Sequence, residues 1–321
     1  MRIGKYRLRH VESIHVESSV EKMVDTATIS LPATVFNKSM NVSNLIKVGD
    51  AVAIGFGYGD TITQEFKGYL SAIKTEGGNL VIECEDELYT FRTDMPDKQY
   101  AGITLKTLME ELIKCVNKYR KEKGLEVLTV ETDYAFSYDK FTINTATAYE
   151  VLSKIHDETK ANIFVFDSVL HIQPPYKTMD QETVDYSMQK NIDRDGLDLK
   201  WKRLDEKKIK IVNKGKNAKG KTISVVVGEA GGDTITMHQS GVTTEENLKR
   251  IAESVYNSKR FEGYEGSFTT WLVPFVTPGC VANLTDTDDP EKNGKYYILS
   301  VVTDFNNRRS EERRVGKECR S

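Results

Sequence analysis

Two stretches far apart in this chain read as one unit used twice, and that repeat narrows the open folds more than any other feature. Val48-Gly49-Asp50-Ala51-Val52-Ala53-Ile54 enters a strand through a glycine turn. Gly55-Phe56-Gly57-Tyr58-Gly59-Asp60 makes a glycine-rich hairpin tip, and Glu65-Phe66-Lys67-Gly68-Tyr69-Leu70 returns. Near the other end Pro278-Gly279-Cys280-Val281-Ala282-Asn283-Leu284 enters, Asp286 to Gly294 supplies a polar tip, and Tyr296-Tyr297-Ile298-Leu299 returns. The reading aligns Gly49 with Gly279, Ile54 with Leu284 and Phe66 with Tyr296. One identity between two hairpins carries little alone. Its recurrence at both ends of one chain suggests a duplicated scaffold.

A length of 321 residues suits two or three domains, and 39% hydrophobic with 29% charged residues suits a soluble globular chain. No apolar run reaches the length of a bilayer span. The start Met1-Arg2-Ile3-Gly4-Lys5-Tyr6-Arg7 lacks the apolar core of a secretory signal, so synthesis in the cytoplasm is expected. A net charge of −3 offers no global reason to bind nucleic acid. Cys84, Cys115, Cys280 and Cys319 show no paired spacing, so neither a metal site nor a disulfide framework is expected.

Residues 1–92 alternate short strands and glycine turns with no long helix, which predicts a first barrel-like β domain. Residues 93–175 change character. Leu105, Leu108, Met109, Leu112, Ile113 and Val116 recur at helical spacing behind a Thr104 cap, and Thr147 opens a second helix carrying Val151, Leu152 and Ile155. A hairpin around Asp167-Ser168 completes a small α/β domain. Strands return over 176–307 as a second barrel-like β domain, interrupted by one helix that Thr243 or Thr244 caps. The predicted class is α+β, mainly β, with two similar barrel-like domains flanking the α/β unit.

The C-terminal string 309–321, RSEERRVGKECRS, breaks with what precedes it. It back-translates without interruption into a string that resembles a common short-read sequencing adapter, so 308–321 is expected to be a non-native tail replacing the genuine end.

Gly215-Lys216-Asn217-Ala218-Lys219-Gly220-Lys221-Thr222 matches the phosphate-binding loop pattern letter for letter. That loop needs a following helix whose N-terminus faces the phosphates, and Ile223-Ser224-Val225-Val226-Val227 is strand-like instead. A lysine-rich hairpin tip is the expected structure, and a nucleotide-binding enzyme using Lys221 and Thr222 is the rival. The acidic string from Asp286 to Glu291 lacks the ligand pattern of a calcium loop. The five histidines are scattered, so no catalytic residue, cofactor or metal is expected. What remains is basic clustering. Lys207, Lys208 and Lys210 precede Lys214, Lys216, Lys219 and Lys221, the last four forming the expected channel-lining or partner-facing loop.

Taken in order, several motifs resemble the late-control D-type tail hub proteins of contractile phages and prophages. They are Ile29-Ser30-Leu31-Pro32, Val48-Gly49-Asp50 with Phe66-Lys67-Gly68-Tyr69, Cys84-Glu85-Asp86-Glu87-Leu88, the Thr147 helix running into Asn162-Ile163-Phe164-Val165, and Pro278-Gly279 with Tyr296 to Val301. The resemblance covers 1–307. It implies a non-enzymatic homotrimer in the virion baseplate, made in the host cytoplasm. Two β domains per subunit would form a pseudo-sixfold ring between the tail tube protein and a trimeric spike, with the tape-measure protein and passing DNA as further partners and no membrane insertion. The same likeness admits the hub of a bacterial contractile injection system.

Overall fold

The computed structural model describes residues 1–8, 11–32, 45–132, 134, 137–173, 183–203, 208–217, 219–239, 242, 244–260, 263–306 and 309–319. His10, Lys207, Thr243 and the boundary expected at 175/176 lie outside them. The chain divides into two compact units, one of Met1–Tyr89, Thr178–Lys200 and Tyr264–Ser321, the other of Thr90–Lys177 and Trp201–Gly263.

Seven strands open the first unit: β1 (Arg2–Ile3), β2 (Tyr6–Arg7), β3 (Ser13–Ser19), β4 (Thr26–Leu31), β5 (Ala51–Tyr58), β6 (Thr61–Glu76) and β7 (Asn79–Glu85). The second unit follows with β8 (Lys98–Thr104), α1 (Leu105–Glu122), β9 (Thr129–Thr132), β10 (Ser137–Ile143), α2 (Ala148–Thr159), β11 (Asn162–Phe166) and β12 (Val169–Gln173). The chain returns to the first unit as β13 (Thr183–Ser187) and β14 (Ile192–Lys202). It leaves again for β15 (Ile209–Lys216), β16 (Thr222–Gly228), β17 (Asp233–His238) and α3 (Glu245–Lys259). It ends in the first unit as β18 (Gly263–Thr270), β19 (Val281–Thr285), β20 (Gly294–Asn306) and β21 (Arg309–Cys319).

In the first unit β5, β6, β7, β4 and β3 lie side by side, and so do β19, β20, β21, β18 and β14. Strand order along the chain is the same in both sets. The match extends to single bonds. Gly49 and Gly279 have φ of 91° and 90°, a region that costs glycine nothing. Gly49 N donates to Leu70 O and Gly279 N to Ile298 O, both at 2.8 Å. In return Leu70 N donates to Asp50 O at 2.9 Å and Ile298 N to Cys280 O at 3.0 Å. A bulge follows at once in each long strand, between Leu70 and Ala72 and between Ile298 and Ser300. Beyond the bulge Ile73 pairs with Ile82, and Val301 with Val315. Ile29 then pairs with Ile82, and Phe268 with Val315. Two cores result, one around Ile29, Leu70 and Ile82, the other around Phe268, Ile298 and Val315.

Three expectations change. The register places Gly294 opposite Leu284 as Phe66 stands opposite Ile54, so Phe66 corresponds to Gly294 and Tyr296 to Gly68. A shift of two keeps every side chain on its face, which is why an alignment by aromatic character missed it. The first hairpin tip is only Gly59-Asp60, because β5 runs on to Tyr58. A Cβ on Gly57 would stand 1.8 Å from Thr61 O, so glycine there serves strand approach. Neither half closes into a barrel. The sheet is open, running β14-β18-β21-β20-β3-β4-β7-β6-β5-β1-β2, because β20 gives its free side to β3 and joins the halves. The halves also differ at their outer strand: β1 pairs β5 antiparallel, whereas β13 pairs β19 parallel.

The expected tail enters the ladder as β21 between β18 and β20, with Val315 fully buried. Backbone pairing is indifferent to side-chain identity, so this placement says where the segment sits and nothing of where its codons came from.

In the second unit Thr104 Oγ1 caps α1 by accepting from Thr107 N at 3.2 Å, and the apolar stripe of Leu105, Leu108, Met109, Leu112, Ile113 and Val116 is buried. Thr147 and Glu150 form a capping box on α2. Thr244 caps α3. The two chain segments of this unit meet through Gln239 Nε2 donating to Glu158 O and Asn247 Nδ2 donating to Ser137 O at 3.4 Å.

Candidate functional site

The joint between the halves of the first unit is an antiparallel ladder from Ser300 opposite Ser19 to Asn306 opposite Ser13. Side chains reinforce it. His15 Nδ1 lies 2.7 Å from Asp304 Oδ1, Thr303 Oγ1 donates to Glu65 Oε1 at 2.6 Å, and the Phe56 and Phe305 rings stack with centroids 5.8 Å apart. Val16, Val301 and Thr303 are buried there.

The repeat gives each side of this joint a counterpart. The stretch of β20 that takes β3 corresponds to 71–76 of β6, just past the matching bulge. There β7 pairs on one side and β5 has ended, leaving the other side open among the described residues. The counterpart of β3 is β14, the end strand of the sheet. A Cβ on Gly196 would touch Thr269, and one on Gly266 would meet Asp198 and Leu199, which runs β14 antiparallel to β18 and matches Leu197 to Ile14 and Leu199 to Val16. Burial follows the pairing. Ile14, Val16 and Val301 are buried, whereas Leu197, Leu199 and Ile73 are only half-buried. These edges were not legible in the sequence, because an unpaired strand carries the same alternation as a paired one.

The lysines of the expected loop lie in the second unit on a β15–β16 hairpin. Asn217 organises its tip: its Oδ1 accepts from Lys219 N at 3.0 Å and Lys221 N at 2.9 Å, while Asn217 N donates to Lys221 O at 2.9 Å. The amides of Asn217, Lys219 and Lys221 are therefore occupied, and the next element is strand β16 rather than a helix. This removes the phosphate-loop reading. Lys216, Lys219 and Lys221 are exposed and Lys214 half-buried.

The acidic tip of the second hairpin holds itself together. Asp286 Oδ1 accepts from Gln189 Nε2 at 2.8 Å and from Asp288 N at 2.9 Å, and Lys292 pairs with Asp289 at 2.6 Å. Among the described residues no group of three or more His, Cys, Asp or Glu is placed to hold a metal ion. No helix described is long and apolar enough to cross a membrane.

Comparison with solved structures decides the fold. A tail protein from Neisseria meningitidis superposes with a TM-score of 0.67, covering 99% of this chain and 95% of that one at 14% identity. This chain shares the fold of that protein. The 43 kDa tail protein of prophage MuSo2 from Shewanella oneidensis gives 0.63 at 15% identity, with 99% and 95% covered. The Escherichia coli c3393 protein gives 0.62 at 9% identity, covering all of this chain and 76% of that one. It is described as a component of the type VI secretion system with structural similarity to the T4 phage tail proteins gp27 and gp5. No family profile and no curated protein sequence matches this chain.

Proposed function

We propose that this chain is the central hub of a phage or prophage tail baseplate, a structural homotrimer that adapts a sixfold tail tube to a trimeric spike and leaves a conduit between them. One observation carries the reading: the repeat uses one joint inside the chain and, among the described residues, leaves the two halves of the same joint open at its ends. A head-to-tail contact of β14 on one copy with β6 on the next would repeat the β3–β20 ladder between chains. Such contacts close into a ring when the rotation permits, and three copies of a doubled module present six similar positions. The β domains proposed for that ring are those read over 1–92 and 176–307, with 93–175 outside it.

Carried over residue by residue, the inter-copy ladder sets Thr75 opposite Leu199 and Ile73 opposite the half-exposed Trp201. It also sets Lys74 opposite Lys200 and Glu76 opposite Asp198. These directly opposite like-signed pairs work against the contact, and the diagonals Lys74 with Asp198 and Lys200 with Glu76 offset them. Burying Ile73, Leu199 and Trp201 supplies the apolar centre that interfaces of this kind need.

The test is light scattering with negative-stain imaging of the full chain and of Ile73→Glu and Leu199→Glu. A trimeric ring is expected, dissociating in both variants while the monomer stays folded by circular dichroism. A monodisperse monomer or dimer at tens of micromolar would overturn it. The likeness to the c3393 protein favours a second setting for the same architecture, the hub of a bacterial contractile injection system. Neighbouring genes for capsid, portal and tape-measure proteins would assign it to a phage.

A further inference from the structure

We propose that the outer edge of β16, with the basic face beside it, takes up an extended acidic segment of another protein as an added strand. The proposal concerns the second unit only and is independent of the assembly reading.

The sheet there runs β16-β15-β17, so β16 ends it and nothing pairs with its outer side among the described residues. One face is covered: Asn213 Nδ2 donates to Leu248 O at 2.9 Å, and Ile209, Ile211 and Gly215 are buried on the same side as α3. The opposite face carries Lys210, Val212, Lys214 and Lys216. Register sets Ser224 and His238 beside Lys214, Val226 and Thr236 beside Val212, and Thr234 beside Lys210. The three strands contain one carboxylate, Asp233, which stands beside Ile209 on the covered side. The open face is therefore of one sign, with the 53%-exposed Val226 at its apolar centre.

Natural edge strands are guarded by charge, proline, a bulge or a covering element, since bare edges recruit strands. Residues Thr222–Gly228 are TISVVVG, uncharged, without proline, and β-branched at five of seven positions. Such an edge donates and accepts main-chain hydrogen bonds to an incoming strand, while the side chains alongside choose it. Lysines around a valine centre select carboxylates flanking a small apolar residue. The strands carry no Phe, Tyr or Trp on which successive bases could stack, and His238 is the one imidazole on this face. A second copy paired edge to edge would bring two lysine faces together.

The experiment titrates a fluorescein-labelled peptide of alternating glutamate and valine into the full chain by anisotropy, with a lysine–valine peptide and a short DNA duplex as the other arms. Hydrogen exchange on the β16 amides is read in parallel. Expected are saturable binding of the glutamate peptide only, slower exchange across Thr222–Gly228, and loss of affinity by about tenfold or more in Lys214→Glu/Lys216→Glu. Should that variant misfold, Lys219→Glu/Lys221→Glu at the exposed tip repeats the test. Binding without amide protection, stronger binding of DNA, self-association through β16, or no binding each overturns the proposal.

Discussion

Asp25 and Asp86 hold one another in the first unit: Asp25 N donates to Asp86 Oδ2 at 3.1 Å, and Asp86 N donates to Asp25 O at 3.0 Å. Asp25 Oδ1 also accepts from Ser19 N at 3.0 Å, and Asp86 Oδ1 from Leu88 N at 2.9 Å. Burial pushes the Asp25 carboxyl up to about 6, and burial together with the Asp25 charge pushes Asp86 well above the usual carboxylate range. The folded chain thus holds protons that the unfolded chain releases from about pH 4 upward. Stability contributed by the protonated pair is present below that pH, and is lost as pH rises through about 6 for Asp25 and further up for Asp86. Asp25→Asn, which keeps an acceptor for Ser19 N, is expected to stabilise the protein at pH 8 and to change little at pH 4. Urea titrations at both pH values measure this, and an equal gap at both would refute it.

The matched turns predict matched costs. Gly49→Ala and Gly279→Ala each force a side chain into φ near +90°, at about 1–2 kcal/mol or more apiece. Denaturation midpoints should fall by similar amounts in the two variants. Gly59→Ala, in open space at φ 62°, should cost less.

Phe268 and Val315 are paired core residues of the second module. Phe268→Ala is expected to cost about 3–5 kcal/mol through the cavity it leaves. Ending the chain at Asn306 removes β21, exposes Phe268 and unpairs both neighbours, so this truncated chain should aggregate or fail to unfold cooperatively. A soluble truncation with an unchanged thermal transition would show that β21 adds nothing.

At the start of α2, Thr147 Oγ1 accepts from Glu150 N at 3.2 Å while Glu150 Oε2 accepts from Thr147 N at 2.7 Å. Thr147→Ala removes the first bond and should lower stability by about 1 kcal/mol, read from thermal melting. Thr147→Ser should recover most of it.

What the chain's sequence determined is local. Thr104, Thr147 and Thr244 mark helix starts because a side-chain oxygen beside the first turn satisfies an amide that has no partner within the helix. The stripe from Leu105 to Val116 faces inward because its spacing leaves one side of the helix apolar. Gly49 and Gly279 mark the turns because a positive φ excludes most other residues. Strand partners across long separations were decided only in three dimensions. Nothing in Ser13–Ser19 names β20 as its neighbour, and nothing in Arg309–Cys319 names β18, because ladder bonds join backbone to backbone and carry no side-chain signature. The same holds for the edges left open among the described residues at β6, β14 and β16. Alternation tells which face of a strand is buried, and only the assembled sheet shows which side of it is still unpaired.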